Sequence, residues 1–352
     1  MKDINEILKK AIEQDASDIF IVAGSPCAFK IKGEIQRVDD ERLMPEDCKL
    51  IIEELYKYAP YGHYHQFEQT GDDDFSFSIP HVGRFRVNVY LQRNSQATVL
   101  RVVKFDLPKA SGMGIPEFII DLHKEKKGMI LVSGSVGNGK STTLACIIDK
   151  INETRNAHII TIEDPIEFLH SHKKSIISQR EILHDTKDYL TALRATLRET
   201  PEVILLGEMR DNETIQTALT AAETGHLLFS TLHTIGAANT IDRIVDAFST
   251  NQQQIRTQLS MVLKAVISEQ LLPSVDGGVV PAFEIMVVNP AIRSQIREGK
   301  THQIENTIVS NRMSGMITMD DSIFQLYQQK KITADIAIQY SMHPETMKKR
   351  VQ

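Results

Sequence analysis

Gly134, Gly139, Lys140 and Ser141 stand in the spacing Gly-x4-Gly-Lys-Ser, directly after the apolar run Met129-Ile130-Leu131-Val132 and before a helix-forming stretch from Thr142 to Ile151. A strand that ends in a glycine loop and opens into a helix turns several backbone N–H groups and a helix N-terminus toward one point, which favours polyanions. The loop Gly134-Ser135-Val136-Gly137-Asn138-Gly139-Lys140-Ser141-Thr142 is therefore expected to cradle the phosphates of a bound polyanion. Lys140 would reach the terminal phosphates, and the Ser141 hydroxyl would help hold a Mg2+ ion that bridges them. A chance glycine turn supplies the glycines, but not the Lys-Ser pair with strand and helix in this order.

Ligands of an open parallel sheet lie outside the carboxyl ends of its strands, so the residues at those ends decide the chemistry. The run Ile159-Ile162 leads into Glu163-Asp164-Pro165, Val203-Leu206 into Gly207-Glu208, and Leu227-Leu232 into His233. Glu208 is expected to hold Mg2+ directly or through water. Glu163 is expected to position and polarise the attacking water, with Asp164 and Glu167 as close rivals. His226 and His233 are seven residues apart around one strand, an odd spacing that sends the two imidazoles to opposite faces or opposite ends. One would sense the γ-phosphate while the other is a hydrogen-bonding histidine.

Arg84, Arg86 and Asn88 alternate with Phe85, Val87 and Val89, so the apolar side of that strand packs and the guanidinium groups project from the other. Such a row is either a solvated face or a set of arginines that closes on phosphate, and Arg93 and Arg101 lie on neighbouring segments where they would join it.

Two groups of elements must position these residues. Ile4 to Glu13 has the stripe of an amphipathic helix. Ile19-Val22 and Ala28-Ile31 read as strands around Gly24-Ser25-Pro26, and a helix follows from Pro45 to about Tyr58. Gly71 to Asp74 reads as a turn before an antiparallel set, Phe75-Ile79, Gly83-Gln92 and Ala97-Val103. These make a small α+β domain over residues 1–103. Residues 104–114, rich in Pro and Gly, read as a hinge linker. From Gly128 onward short apolar runs alternate with helical stretches, the pattern of βαβ units on a parallel sheet, so 115–352 is an α/β domain with a helical tail. Helices are expected near Thr240-Phe248 and Gln252-Leu271, a strand over Val279-Val288, and a helix opened by Asn289 as N-cap and Pro290 as its first residue.

The 352 residues, 41% hydrophobic, suffice for two such cores. A net charge of −6 argues against wholesale binding of nucleic acid, which calls for a surplus of Lys and Arg. The start has no signal-like apolar run and no stretch approaches a membrane span, so a cytoplasmic protein is expected. Cys27, Cys48 and Cys146 have neither the C-x2-C spacing of a zinc site nor the density of a disulfide scaffold.

Taken together, Gly134 to Ser141, Thr161 to Phe168, Gly207-Glu208-Met209-Arg210-Asp211 and Ala222 to Thr234 resemble the secretion-ATPase superfamily, where these segments are its Walker A, Asp box, Walker B and His box. The resemblance is closest to the branch that retracts type IV pili. It implies a PAS-like N-terminal domain on a P-loop, RecA-like ATPase domain. It also implies a homohexamer with hydrolysis between domains, working on the cytoplasmic face of the inner membrane with a pilus-base platform protein and, indirectly, the pilin filament. Glu163 is then the catalytic glutamate, Glu208 the Walker-B glutamate, and arginines of Arg84-Phe85-Arg86 contact nucleotide. Val136 and Asn138 stand where the family's loop, Gly-x-Thr-Gly-Ser-Gly-Lys, carries hydroxyl residues. Ala291 to Glu298 resembles the retraction branch's tail motif, with Gln295 in place of an apolar residue. Extension and type II secretion relatives carry paired C-x2-C motifs, which are missing here, so no zinc is expected.

Overall fold

The computed structural model describes residues 3–31, 33–59, 63–79, 82–103 and 107–352. The chain divides into two compact units, one of Met1–Asp106 with Glu167–Leu169 and one of Leu107–Ile166 with His170–Gln352. Of the linker expected over 104–114, residues 104–106 lie outside the described residues, and Ala110–Gly112 forms a single 3-10 turn.

The first unit holds six strands, β1 (Asp18–Ile21), β2 (Pro26–Ile31), β3 (Glu34–Arg42), β4 (Asp72–Ile79), β5 (Gly83–Gln92) and β6 (Ser95–Val103), in the order β3-β2-β1-β6-β5-β4 and antiparallel throughout. Alternation along β5 turns Phe85, Val87 and Val89 inward. There they share a core with Phe29, Phe75 and the apolar faces of α1 (Ile4–Glu13), α2 (Pro45–Leu55) and α3 (His63–Thr70). Asp72 to Asp74, expected as a turn, belong instead to β4 opposite Tyr90, Val89 and Asn88. Asp73 faces inward with Phe75 and Phe77, and its buried carboxylate is tolerated there because His63 Nδ1 lies 3.0 Å from it.

The second unit holds seven strands, β7 (Gly128–Ser133), β8 (His158–Glu163), β9 (Ile176–Glu181), β10 (Val203–Leu206), β11 (Leu227–Leu232), β12 (Leu263–Pro273) and β13 (Val279–Val287), ordered β13-β12-β7-β11-β10-β8-β9. All neighbours are parallel except β12 and β13. Residues of alternate direction enter two cores: Met129, Leu131, Ile160 and Leu206 one, Ile130, Val132, Ile159 and Val203 the other. A sheet covered on both faces needs the continuous apolar runs that the sequence shows. Its helices are α4 (Glu117–Asp121), α5 (Lys140–Thr154), α6 (Tyr189–Thr196), α7 (Asn212–Glu223), α8 (Ala237–Asp246), α9 (Gln252–Val262) and α10 (Pro290–Arg297), followed by tail helices between Ile304 and Val351.

The long helix expected over Gln252 to Leu271 is corrected. The helix stops at Val262, and Leu263 onward is β12, with Ala265, Val266 and Ile267 paired to Ile130, Leu131 and Val132. A strand buried on both faces has no period of two, so its apolar run is indistinguishable from a buried helix in sequence. β9 escaped sequence reading because Gln179, Arg180 and Glu181 make an edge strand polar. Asn289 caps α10 through the Ile292 N–H at 2.9 Å, Pro290 opens it, and Ile292 and Ile296 are fully buried. Gln295 Nε2 donates to Thr307 Oγ1 at 2.8 Å, which ties α10 to the tail helix that begins at Ile304.

Candidate nucleotide site

Strand register assembles the site. Ile162 pairs with Leu206, Leu206 with Ser230, Ser230 with Leu131, and Leu131 with Val266, so the residues that follow emerge at one edge of the sheet. Glu163, Glu208, His233 and the loop from Gly134 all stand at that edge. Gly139, at φ 90°, is the N-cap of α5, and Gly134, at φ 146°, passes so close to β12 that a Cβ there would lie 2.3 Å from the Glu269 carbonyl oxygen. Only glycine satisfies both the left-handed backbone and that approach.

Lys140 is buried, and its Nζ donates to the carbonyls of Gly134 and Ser135, both at 2.8 Å, so the ammonium sits inside its own loop. Ser141 and Thr142 follow in the first turn of α5. Val136 projects from Ser135 and Gly137 into solvent, 84% exposed. Asn138 does the opposite: its Nδ2 donates to the Glu269 carbonyl at 3.2 Å, tying the loop to β12. Val136 thus leaves the loop's interior untouched, and Asn138 adds a tether to it.

Glu163 closes β8, where Thr161 Oγ1 donates to its Oε1 at 2.6 Å and Gln179 Nε2 at 3.3 Å, fixing the carboxylate's direction. Glu208 follows Gly207 and is bonded by Arg210 and by His233 Nε2, the latter at 3.2 Å. Burial, the largest single influence, raises the Glu208 pKa, but the bonds and charges of Arg210 and His233 outweigh it and hold the carboxylate below its usual range. A hydroxyl and an ionised carboxylate are the hard oxygen donors that Mg2+ takes alongside phosphates and water, so Ser141 and Glu208 fit that ion chemically.

Register also separates the two histidines. His233 is at the phosphate edge beside Glu208, whereas His226 precedes β11, its Nδ1 2.9 Å from the Ala221 carbonyl and its own carbonyl accepting from Gly128 at the start of β7. Six strand residues, about 20 Å, lie between it and the loop, so His226 does not reach a nucleotide held by its own chain.

Arg84, Arg86 and Arg101 belong to the first unit. Arg86 and Arg101 are directly paired across β5 and β6, Arg101 Nε donates to Asp18 at 3.1 Å, and Arg84 Nη1 to Ser78 at 3.4 Å. Asp18, Asp74, Arg86, Asn88, Val99 and Arg101 line a polar hollow of about 290 Å3 on that sheet.

A family model described as type II/IV secretion system protein matches residues 1–349. This chain belongs to that family. Family members similar to it include the type IV pilus retraction ATPase PilT of Pseudomonas aeruginosa, 42% identical over 97% of this chain and 99% of its own. The twitching motility protein of Neisseria gonorrhoeae is also 42% identical, over 98% of this chain and 92% of its own. A crystal structure of the pilus retraction motor PilT with bound ADP superposes with a TM-score of 0.89 at 48% identity, covering 98% of both chains.

Two residues of this family member were not visible as site residues in its sequence. Tyr189 opens α6, and its hydroxyl lies against Gly207, where a Cβ would meet it at 2.8 Å. Burial and then the charges of Glu208, Asp164 and Glu163 push its phenol pKa up, so it stands as a neutral donor among three carboxylates. Glu269 lies beneath the loop on β12, 2% exposed. Neither has a motif around it; both are placed by contacts across the sheet.

Proposed function

We propose that this chain is a Mg2+-dependent ATPase motor that powers type IV pilus retraction. The observation that carries the reading is the convergence of the phosphate loop, Glu163, Glu208 and His233 on one edge of a parallel sheet. Likeness over nearly the whole chain to relatives named for pilus retraction and twitching supports the choice among motors.

Phosphates on the loop draw the Lys140 ammonium from the carbonyls of Gly134 and Ser135 to themselves. Ser141 and Glu208 are the residues that would hold Mg2+, which when bound would supply positive charge against the phosphates. Glu163, oriented by Thr161 and Gln179, holds the attacking water in line and accepts its hydrogen bond. His233, bonded to Glu208, senses the terminal phosphate. Arg84, Arg86 and Arg101 contribute positive charge to the γ-phosphate when the first unit closes on a site, and the linker over 104–114 carries the rotation. Closure is favoured while the γ-phosphate is present and loses that preference on phosphate release, which is how hydrolysis becomes movement.

Six copies form the working ring, which sits in the cytoplasm against the inner membrane and turns a platform protein at the pilus base; the pilin filament is moved indirectly. Among the described residues no helix is long and apolar enough to cross a membrane. Deletion of the gene with imaging of surface filaments tests the reading: filaments that accumulate and no longer shorten are expected, and loss of filaments would assign the motor to assembly instead.

A further inference from the structure

β12 and β7 cease to pair at Ser268 and Ser133, so the next residue, Glu269, backs directly onto the phosphate loop. It touches that loop at three places. Its carbonyl oxygen abuts Gly134 and accepts from Asn138, while its side-chain Oε1 would lie 2.5 Å from a Cβ on Gly139. Its Oε2 accepts from Thr143 of α5 at 2.8 Å. The carboxyl is thus enclosed under the surface on which phosphates settle, with one hydroxyl as its side-chain donor.

Burial pushes the Glu269 carboxyl up to about 7, against the opposing influence of Thr143 and the Lys140 charge. The ionisable groups that face it, Lys140 and Cys146, both come from α5, and the Cys146 thiol is itself raised to about 11, chiefly by burial and then by Asp149 and Glu269. β13 sets the uncharged Phe283 opposite it, and β7 ends beside it in Ser133. Among the described residues, Lys140 is the cation that favours the carboxylate, and it is the residue that phosphates claim.

We propose that Glu269 sets the affinity of the loop for nucleotide: the ionised carboxylate repels the phosphates from beneath, and nucleotide is taken up together with one proton on Glu269. The proton comes from solvent and returns to it when nucleotide leaves. The inference rests on the nucleotide reading above. Glu269 acts through the loop and touches no reacting atom, so it is a positioning residue.

Calorimetric titration of the full-length protein with ADP at pH 8, in buffers of different ionisation enthalpy, counts the protons. At that pH a carboxyl of pKa about 7 is about one-tenth protonated, and a rise of 1.5 units or more on binding draws in about half a proton or more. Glu269→Gln, which keeps the shape and removes the charge, is expected to bind ADP without that uptake. Its affinity should exceed the parent's by about tenfold at pH 8.5 and match it near pH 6. Equal proton counts in two proteins that both bind ADP would overturn the inference and leave the nucleotide reading standing. Failure of the parent to bind ADP would overturn both. Should the variant not fold, the parent alone decides, since an uptake near zero at pH 8 refutes the coupling.

Discussion

Replacing Glu269 by Gln should change how the nucleotide-free protein's stability depends on pH. The carboxyl rises from 4.5 to about 7 on folding because it is buried, a difference worth about 3.4 kcal/mol at 1.36 kcal/mol per unit. Because the folded pKa is the higher one, the folded state holds the proton more tightly between pH 4.5 and 7. Stability therefore falls as pH rises through that window and is flat above it. Glutamine carries no such charge. Between pH 5 and pH 8 the parent should lose about 2.5 kcal/mol relative to Glu269→Gln, which for a unit of this size corresponds to a midpoint shift of about 5 to 10 °C. Scanning calorimetry of both proteins without nucleotide measures the difference. A gap between the two midpoints that stays constant from pH 5 to pH 8 would show that Glu269 is not a buried charge in the folded chain.

Lys140→Ala should weaken ADP binding by about 100-fold or more in a fluorescence titration, since it removes the charge from the centre of the loop. Glu163→Gln should still bind ATP but release phosphate about 100-fold or more slowly; release at the parental rate would remove Glu163 from the mechanism. Gly207→Ala drives a methyl group against the Tyr189 hydroxyl at 2.8 Å and the Ile162 carbonyl at 3.1 Å. It should lower turnover, and the added change Tyr189→Phe should restore part of it in the same phosphate-release assay. Asp211→Ala removes the side-chain cap that accepts from the Thr214 N–H at 2.8 Å, and should cost about 1 kcal/mol in denaturant unfolding without moving the Michaelis constant.

The sequence alone determined the parts whose chemistry is carried by neighbours in the chain. The phosphate loop was legible because strand, glycines, Lys140, Ser141 and helix are contiguous, and so were Glu163 and Glu208, each the polar end of an apolar run. The amphipathic stripe of α1 and the alternation along β5 were equally plain, since burial on one face leaves a period that short windows reveal. Tertiary structure alone decided the rest. β12 was hidden because burial on both faces erases that period. Glu269 follows the loop by more than a hundred residues in the chain and is brought beneath it by the register of β12 on β7, and its charge balance is set by that enclosure. Tyr189 meets Gly207 through contacts that no local pattern shows, and of the opposite faces or opposite ends that the spacing of His226 and His233 allowed, the fold takes opposite ends, with His233 beside Glu208. A residue's type is written in the chain, but its proton affinity and its reach depend on which distant strands the fold sets beside it.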